Sequence, residues 1–356
     1  MQRKIILVAV IALACAASSE AKAGGYLYVA GGASNTVGEY NASTGAAIKV
    51  PLVSGLSNNA YPVGVAVSGS DLFVSTFNAN TIGEYNASTG AAINASLVSG
   101  LNGPKGIAVS GSALFVANPG AVFSSGAATI GEYNASTGVA INASLVSGLN
   151  SPYGIAVSGS DLFVTSPFAG TIGEYNASTG AAINASLVSG LGNPAGIAVS
   201  GSDLFVANSG AGTIGEYNAS TGAPINASLV SGLNGPGGIA VSGLDLYVSY
   251  GGNTIGEYNA TTGAAISASL VSGLKLPTGL AVSGSDLFVA NSGAGTIGEY
   301  NATTGAAISA SLVSGLNVPV FLAVTNPPAS VPEPASLSLL AAGALGLAAI
   351  RRRARR

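Results

Sequence analysis

The chain has no histidine and no tryptophan, and only one methionine and one cysteine, Cys15. Lack of histidine removes the usual general base, the Ser-His-Asp arrangement and the commonest transition-metal ligand. Cys15 sits in an N-terminal apolar run, and without it no disulfide can form, so closure and packing must hold the fold. Arginine is absent from residues 24–325, and eight of the eleven basic residues lie at the two ends of the chain. Between residues 24 and 325 only Lys49, Lys105 and Lys275 stand against seven glutamates and five aspartates, a net charge of −9. A surface of that sign cannot neutralise phosphates, which excludes nucleic acid as a partner. No window of 12 or more residues in this region carries a 3.6-residue apolar stripe, which excludes amphipathic helices and leaves an all-β fold.

What the chain does have is repetition. Gly-Glu-Tyr-Asn-Ala-Ser/Thr-Thr-Gly recurs seven times, with its tyrosine at Tyr40, Tyr85, Tyr133, Tyr175, Tyr217, Tyr258 and Tyr300, spaced 45, 48, 42, 42, 41 and 42 residues apart. A second marker, Pro-x-Gly-Ile-Ala-Val-Ser-Gly-Ser-Asp-Leu-Phe-Val, begins at Pro62, Pro104, Pro152, Pro194, Pro236, Pro277 and, in degenerate form, Pro319. A period of about 40–50 residues holding several short strands is the signature of a β-propeller blade. Each unit reads as four strands. In the fifth, Gly196–Val199 and Leu204–Ala207 flank the turn Ser200-Gly201-Ser202-Asp203, Thr213–Tyr217 is the third strand, and Pro224–Val230 contains the fourth.

The ends of the array indicate how it closes. Gly25-Tyr26-Leu27-Tyr28-Val29 matches the second strand of a unit with no first strand before it, and the missing strand stands at the other end as Pro319–Val324. Pairing the two closes a seven-bladed propeller over residues 24–325 and leaves no open edge at the seam. An open β-solenoid, the alternative, needs neither the orphan strand nor its complement.

The termini carry addresses. Arg3 and Lys4, the apolar run from Ile5 to Ala17, and small residues at Ala21 and Ala23 predict a secretory signal peptide over residues 1–23, cut by signal peptidase. After a linker at 326–330, residues 331–356 hold Pro332-Glu333-Pro334, the 16-residue apolar run Ala335–Ile350 and five arginines. On physics alone this is a C-terminal membrane tether with its arginines on the cytoplasmic side. The layout resembles the PEP-CTERM sorting signal of Gram-negative bacteria. That resemblance implies removal by an exosortase-type membrane protease, with Glu333 a processing determinant, and display at the cell envelope or release into an exopolysaccharide matrix.

The Pro-x-Gly-Ile-Ala-Val, Leu-Phe-Val-Ala-Asn and Thr-Ile-Gly-Glu-Tyr-Asn strands resemble NHL-type repeats and the related quinoprotein-like and gluconolactonase-like propellers. Gluconolactonase-like enzymes hold a divalent metal in the central channel with acidic and amide side chains from different blades, but here the first-strand starts carry no such one-off acidic residues. The seven repeated glutamates, Glu39 to Glu299, lie on third strands, about 10 Å farther from the axis than the first strands. Carboxylates that far out on different blades cannot share one ion, so these glutamates are expected to serve blade edges or turns. No metal, cofactor or catalytic residue is expected.

The informative positions are those where the units differ. The loop before the first strand and the loop between the second and third open on the same face of a propeller. Tyr61, Phe77, Phe123, Tyr153, Phe168 and Tyr250 map to that face, as does the varied Pro-x-Gly position that holds Lys105. The opposite face repeats almost unchanged. Aromatic rings with polar rims suit amphipathic ligands such as sugars. The expected function is a non-enzymatic exported scaffold or binding module, with extracellular polysaccharide as ligand. A propeller enzyme acting on lactones or sugars is the alternative.

Overall fold

The computed structural model describes residues 7–10, 12–14, 25–42, 44, 46–56, 60–120, 128–251 and 253–325. Seven four-stranded antiparallel blades form the propeller. Blade 2 is typical, with strands Pro62–Ser68, Asp71–Thr76, Thr81–Asn86 and Ala92–Val98 in order from the axis outward. Blades 3 to 7 repeat it, starting at Ile107, Ile155, Pro194, Ile239 and Pro277. The second and third strands are buried on both faces because each blade lies between two others. The fourth is exposed along its first five residues and buried only at its Leu-Val end.

Blade 1 is made from both ends of the array, as the orphan strands predict. Pro319–Thr325 is its innermost strand and pairs antiparallel with Tyr26–Gly31, in the register Tyr26↔Thr325, Leu27↔Val324, Tyr28↔Ala323 and Val29↔Leu322. Near the axis, Leu7–Val10 pairs with Ile155–Ser158 of blade 4, and Ala12–Ala14 runs parallel to Leu280–Val282 of blade 7.

Local chemistry explains the repeated motifs. In Gly-Glu-Tyr the tyrosine folds back along its own strand, and a Cβ on Gly83 would lie 2.6 Å from the Tyr85 ring. In the turn after it, Asn86 Oδ1 accepts the N–H of Thr89 at 2.8 Å and its hydroxyl at 3.0 Å, while Gly90 takes φ +66°. That glycine also lets the turn approach the preceding blade, since a Cβ there would sit 1.8 Å from the Leu52 carbonyl oxygen.

A second pattern runs between blades. The Ser75 hydroxyl accepts the Gly64 N–H at 2.8 Å and donates to the Lys105 carbonyl of blade 3 at 2.9 Å. Thr165 in blade 4 and Ser249 in blade 6 make the same bridges, to Ala195 and Thr278 of the following blade. The matching position is alanine in blades 1, 3, 5 and 7, namely Ala30, Ala117, Ala207 and Ala290.

Candidate functional site

The loops that enter the first strands ring one face. All seven residues immediately before the first-strand prolines have left-handed backbone, and five of them are not glycine: Tyr61 (φ 53°), Ser151 (53°), Asn193 (54°), Leu276 (49°) and Val318 (53°). A side chain in that region costs on the order of 1–3 kcal/mol, and such strain concentrates at binding and catalytic sites. The seven X-Pro pairs are visible in the sequence, but their handedness is not.

Tyr61 lies across the loop of blade 1. Its N–H donates to Asn35 Oδ1 at 2.8 Å, and its ring packs so close to Gly32 that an added Cβ would lie 3.1 Å away. Phe77 packs over Gly103 in the same way, with a virtual Cβ at 3.0 Å. Phe77, Lys105 and Tyr153, from blades 2, 3 and 4, come together. Lys105 Nζ is 6.0 Å from the Phe77 ring centre and 5.0 Å from that of Tyr153. The Lys105 backbone is pinned on both sides, its N–H to Ala117 O at 3.0 Å and its carbonyl to the Ser75 hydroxyl. Burial pushes the Lys105 amine down and the Tyr153 hydroxyl up from their ordinary pKa values. A half-buried ammonium between two aromatic rings gains about 0.5–2 kcal/mol of cation–π attraction.

The other sequence-selected residues do not join this cluster. Phe168 stands 72% exposed in the second-to-third-strand loop of blade 4. Tyr250 turns outward, its hydroxyl donating to the Ala268 carbonyl on the fourth strand of its own blade. It also lies against Tyr258, whose hydroxyl pKa is pushed up to about 12 by burial and by Tyr250. Phe123 lies outside the described residues, as do Ala21, Ala23, Pro332, Glu333 and Pro334. A cleft of about 470 Å³ opens between blades 2 and 3, lined by Leu97, Leu101, Asn118, Thr129 and Tyr133 among others, with no carboxylate or cation among the described residues of its wall.

The repeated glutamates are not turn residues. They are buried between the second and fourth strands, and one carboxylate oxygen of Glu39, Glu84, Glu132, Glu174, Glu216 and Glu257 has no hydrogen-bond partner among the described residues. In blades 1 and 6 the Tyr28 and Tyr247 hydroxyls hydrogen-bond Glu39 and Glu257. In blades 2 to 5 that second-strand position is phenylalanine. Burial raises the pKa of all six. No three such groups converge among the described residues.

Residues 330–353 match the PEP-CTERM protein-sorting motif. The chain is therefore an exported protein, sorted by exosortase at the membrane to the cell envelope or surface. The PEP-CTERM match contains Pro332, Glu333 and Pro334. No helix among the described residues is long and apolar enough to cross a membrane, and the apolar run Ala335–Ile350 lies outside them. No curated protein matches the chain. Among solved structures, the chain resembles the computationally designed Ika8 protein, with 17% identity, TM-score 0.58, and 89% of this chain and 91% of that one covered. It also resembles a functionally unknown protein from Desulfotomaculum acetoxidans DSM 771, with 16% identity, TM-score 0.67 and coverages of 85% and 99%. At these identities the likeness is one of fold alone.

Proposed function

We propose that the propeller is a non-enzymatic binding module, freed of its signal peptide after Ala23, whose loop-bearing face holds an extracellular polysaccharide. The observation that carries this reading is the Phe77–Lys105–Tyr153 cluster, built from three successive blades on the face where the units differ. Aromatic faces stack on the C–H faces of sugar rings, and an ammonium between them donates to sugar hydroxyls. The net charge of −9 over residues 24–325 repels polyanions, so the polymer is a neutral one. One stacked sugar binds weakly, and a polymer that engages several loops gains by effective concentration.

Adsorption of the purified protein to the neutral exopolysaccharide of the producing cells tests this. The triple variant F77A/K105A/Y153A is expected to adsorb roughly 100-fold more weakly, at about 1 kcal/mol per contact. Tyr250→Phe is expected to adsorb like the parent. If the triple variant folds and adsorbs undiminished, the cluster is only a packing feature of the loops.

Export rests on the tail. Glu333→Ala is expected to leave unprocessed protein, arginine cluster attached, in the membrane fraction on immunoblots. A variant with the size and distribution of the parent would leave the tail as an uncleaved anchor.

A further inference from the structure

Strand register places two carboxylates together inside several blades. In blade 2, Asp71 lies opposite Asn86 and Phe73 opposite Glu84, while Glu84 lies opposite Asn94 on the fourth strand. Residues two apart on a strand share a face, so Asp71, Glu84 and Asn94 lie on one face of the blade. The same three residue types recur as Asp161, Glu174 and Asn184 in blade 4, and as Asp203, Glu216 and Asn226 in blade 5. In each, the glutamate is only 3% exposed and one of its oxygens is buried without a partner among the described residues. The aspartate is half-buried at the strand start. A buried carboxylate oxygen with nothing to accept from is costly, and a second carboxylate beside it adds repulsion.

Blade 1 indicates what belongs there. Its second strand has Tyr26 in place of the aspartate, and its fourth has Lys49 directly opposite Glu39. The lysine ammonium lowers the Glu39 pKa, against the effect of burial. In this blade, where the second carboxylate is missing, the chain sets an ammonium of its own opposite the glutamate, and that ammonium also donates to the Thr89 carbonyl. Blade 3 has neither, with Ala113 at the aspartate position and Asn142 opposite Glu132. In blades 2, 4 and 5 burial first, and the neighbouring aspartate second, raise the glutamate pKa.

We propose that blades 2, 4 and 5 each bind one hard divalent cation, Ca2+ foremost, between the buried glutamate and the aspartate. Two carboxylates with no nitrogen or sulfur donor select a hard, oxygen-seeking ion, and the exposed side of the pair leaves room for the waters that complete its shell. Ca2+ tolerates the irregular geometry that such a half-open site imposes, whereas Mg2+ demands a near-ideal octahedron. Blade 6 is the weaker variant, because Ser267 replaces the asparagine and the Tyr247 hydroxyl already bonds Glu257. The sites bind independently of the polysaccharide-binding face, since they lie on the third strands and not on its loops.

Equilibrium dialysis of the full-length chain, stripped with EDTA and titrated with radioactive Ca2+ at neutral pH, is the test. Saturable uptake of three equivalents is expected, with affinity in the range of extracellular modules, about 10⁻⁴–10⁻³ M. Asp161→Asn and Glu174→Gln should each remove one equivalent, and D71N/D161N/D203N all three. Ala113→Asp should add one. Circular dichroism of the variants checks that each remains folded. Absence of saturable uptake at millimolar Ca2+, or uptake unchanged in the folded triple asparagine variant, would overturn the proposal and leave a proton as the only occupant of the glutamates.

Discussion

Deleting residues 319–325 is expected to yield an associating, strongly destabilised protein. The segment is the innermost strand of blade 1, and its Leu322 and Val324 pack with Leu27 and Val29 in one buried cluster. Fully burying such a side chain contributes about 1.5–3 kcal/mol. Losing two, with partial exposure of their partners, costs on the order of 5 kcal/mol, which is comparable with the whole stability of an ordinary domain. The deletion also strips Tyr26–Gly31 of its backbone hydrogen bonds on the axial side and leaves an apolar edge able to pair with another chain. Light scattering and urea unfolding read the two effects. A truncated protein that scatters light like the parent, with an unchanged unfolding midpoint, would show that the ring does not depend on its closing strand.

Gly90→Ala and Gly100→Ala are expected to differ sharply, although both glycines are left-handed, at φ +66° and +74°. Alanine at 100 meets nothing within 4 Å, so it incurs only the left-handed backbone penalty of about 1–2 kcal/mol. Alanine at 90 incurs the same penalty and also drives its Cβ to within 1.8 Å of the Leu52 carbonyl, a backbone atom of the neighbouring blade. The turn and the blade must move apart, at a total of roughly 3–5 kcal/mol. The contact repeats as Gly138 on Leu97, Gly180 on Leu145 and Gly222 on Leu187, so any of these glycines should give the same result. Equal urea midpoints for the two variants would mean that blades do not rest on these turns.

The blade count, the four-strand unit and the closing pair were legible because each is carried by sequence identity at a fixed period. The strand at Tyr26 lacks a first strand before it and the strand at Pro319 lacks a second after it, so the two complement each other. The burial of the glutamates was not legible. A residue repeated seven times gives no contrast between units, and alternation within Thr-Ile-Gly-Glu-Tyr-Asn is masked because both faces of the strand are buried. The contrast that does bear on it, Lys49 and Tyr26 in blade 1 against Asn94 and Asp71 in blade 2, has meaning only once register sets Lys49 opposite Glu39 and Asn94 opposite Glu84, with Tyr26 and Asp71 two residues along the second strand from the residues that face those glutamates. On the loop face, sequence assigned Phe77, Lys105 and Tyr153 to loops that open the same way. It could not show that they touch while Tyr250 turns away. Tyr250 ends its strand, and its hydroxyl is held by the Ala268 carbonyl on the fourth strand, which sequence gives no sign of.

The inter-blade hydroxyls give the ring a parity. Ser75, Thr165 and Ser249 mark every second blade, and alanine marks the others. A circle of seven cannot alternate all the way round, so two alanine blades must stand side by side, and they are blades 7 and 1, where the chain meets itself. The mismatch therefore coincides with the seam. There the missing hydroxyl comes from elsewhere, as Thr278 of blade 7 donates to the Pro319 carbonyl at 3.4 Å. An even-numbered ring assembled from the same two kinds of blade would have no such defect, and its last strand would need no mending bond.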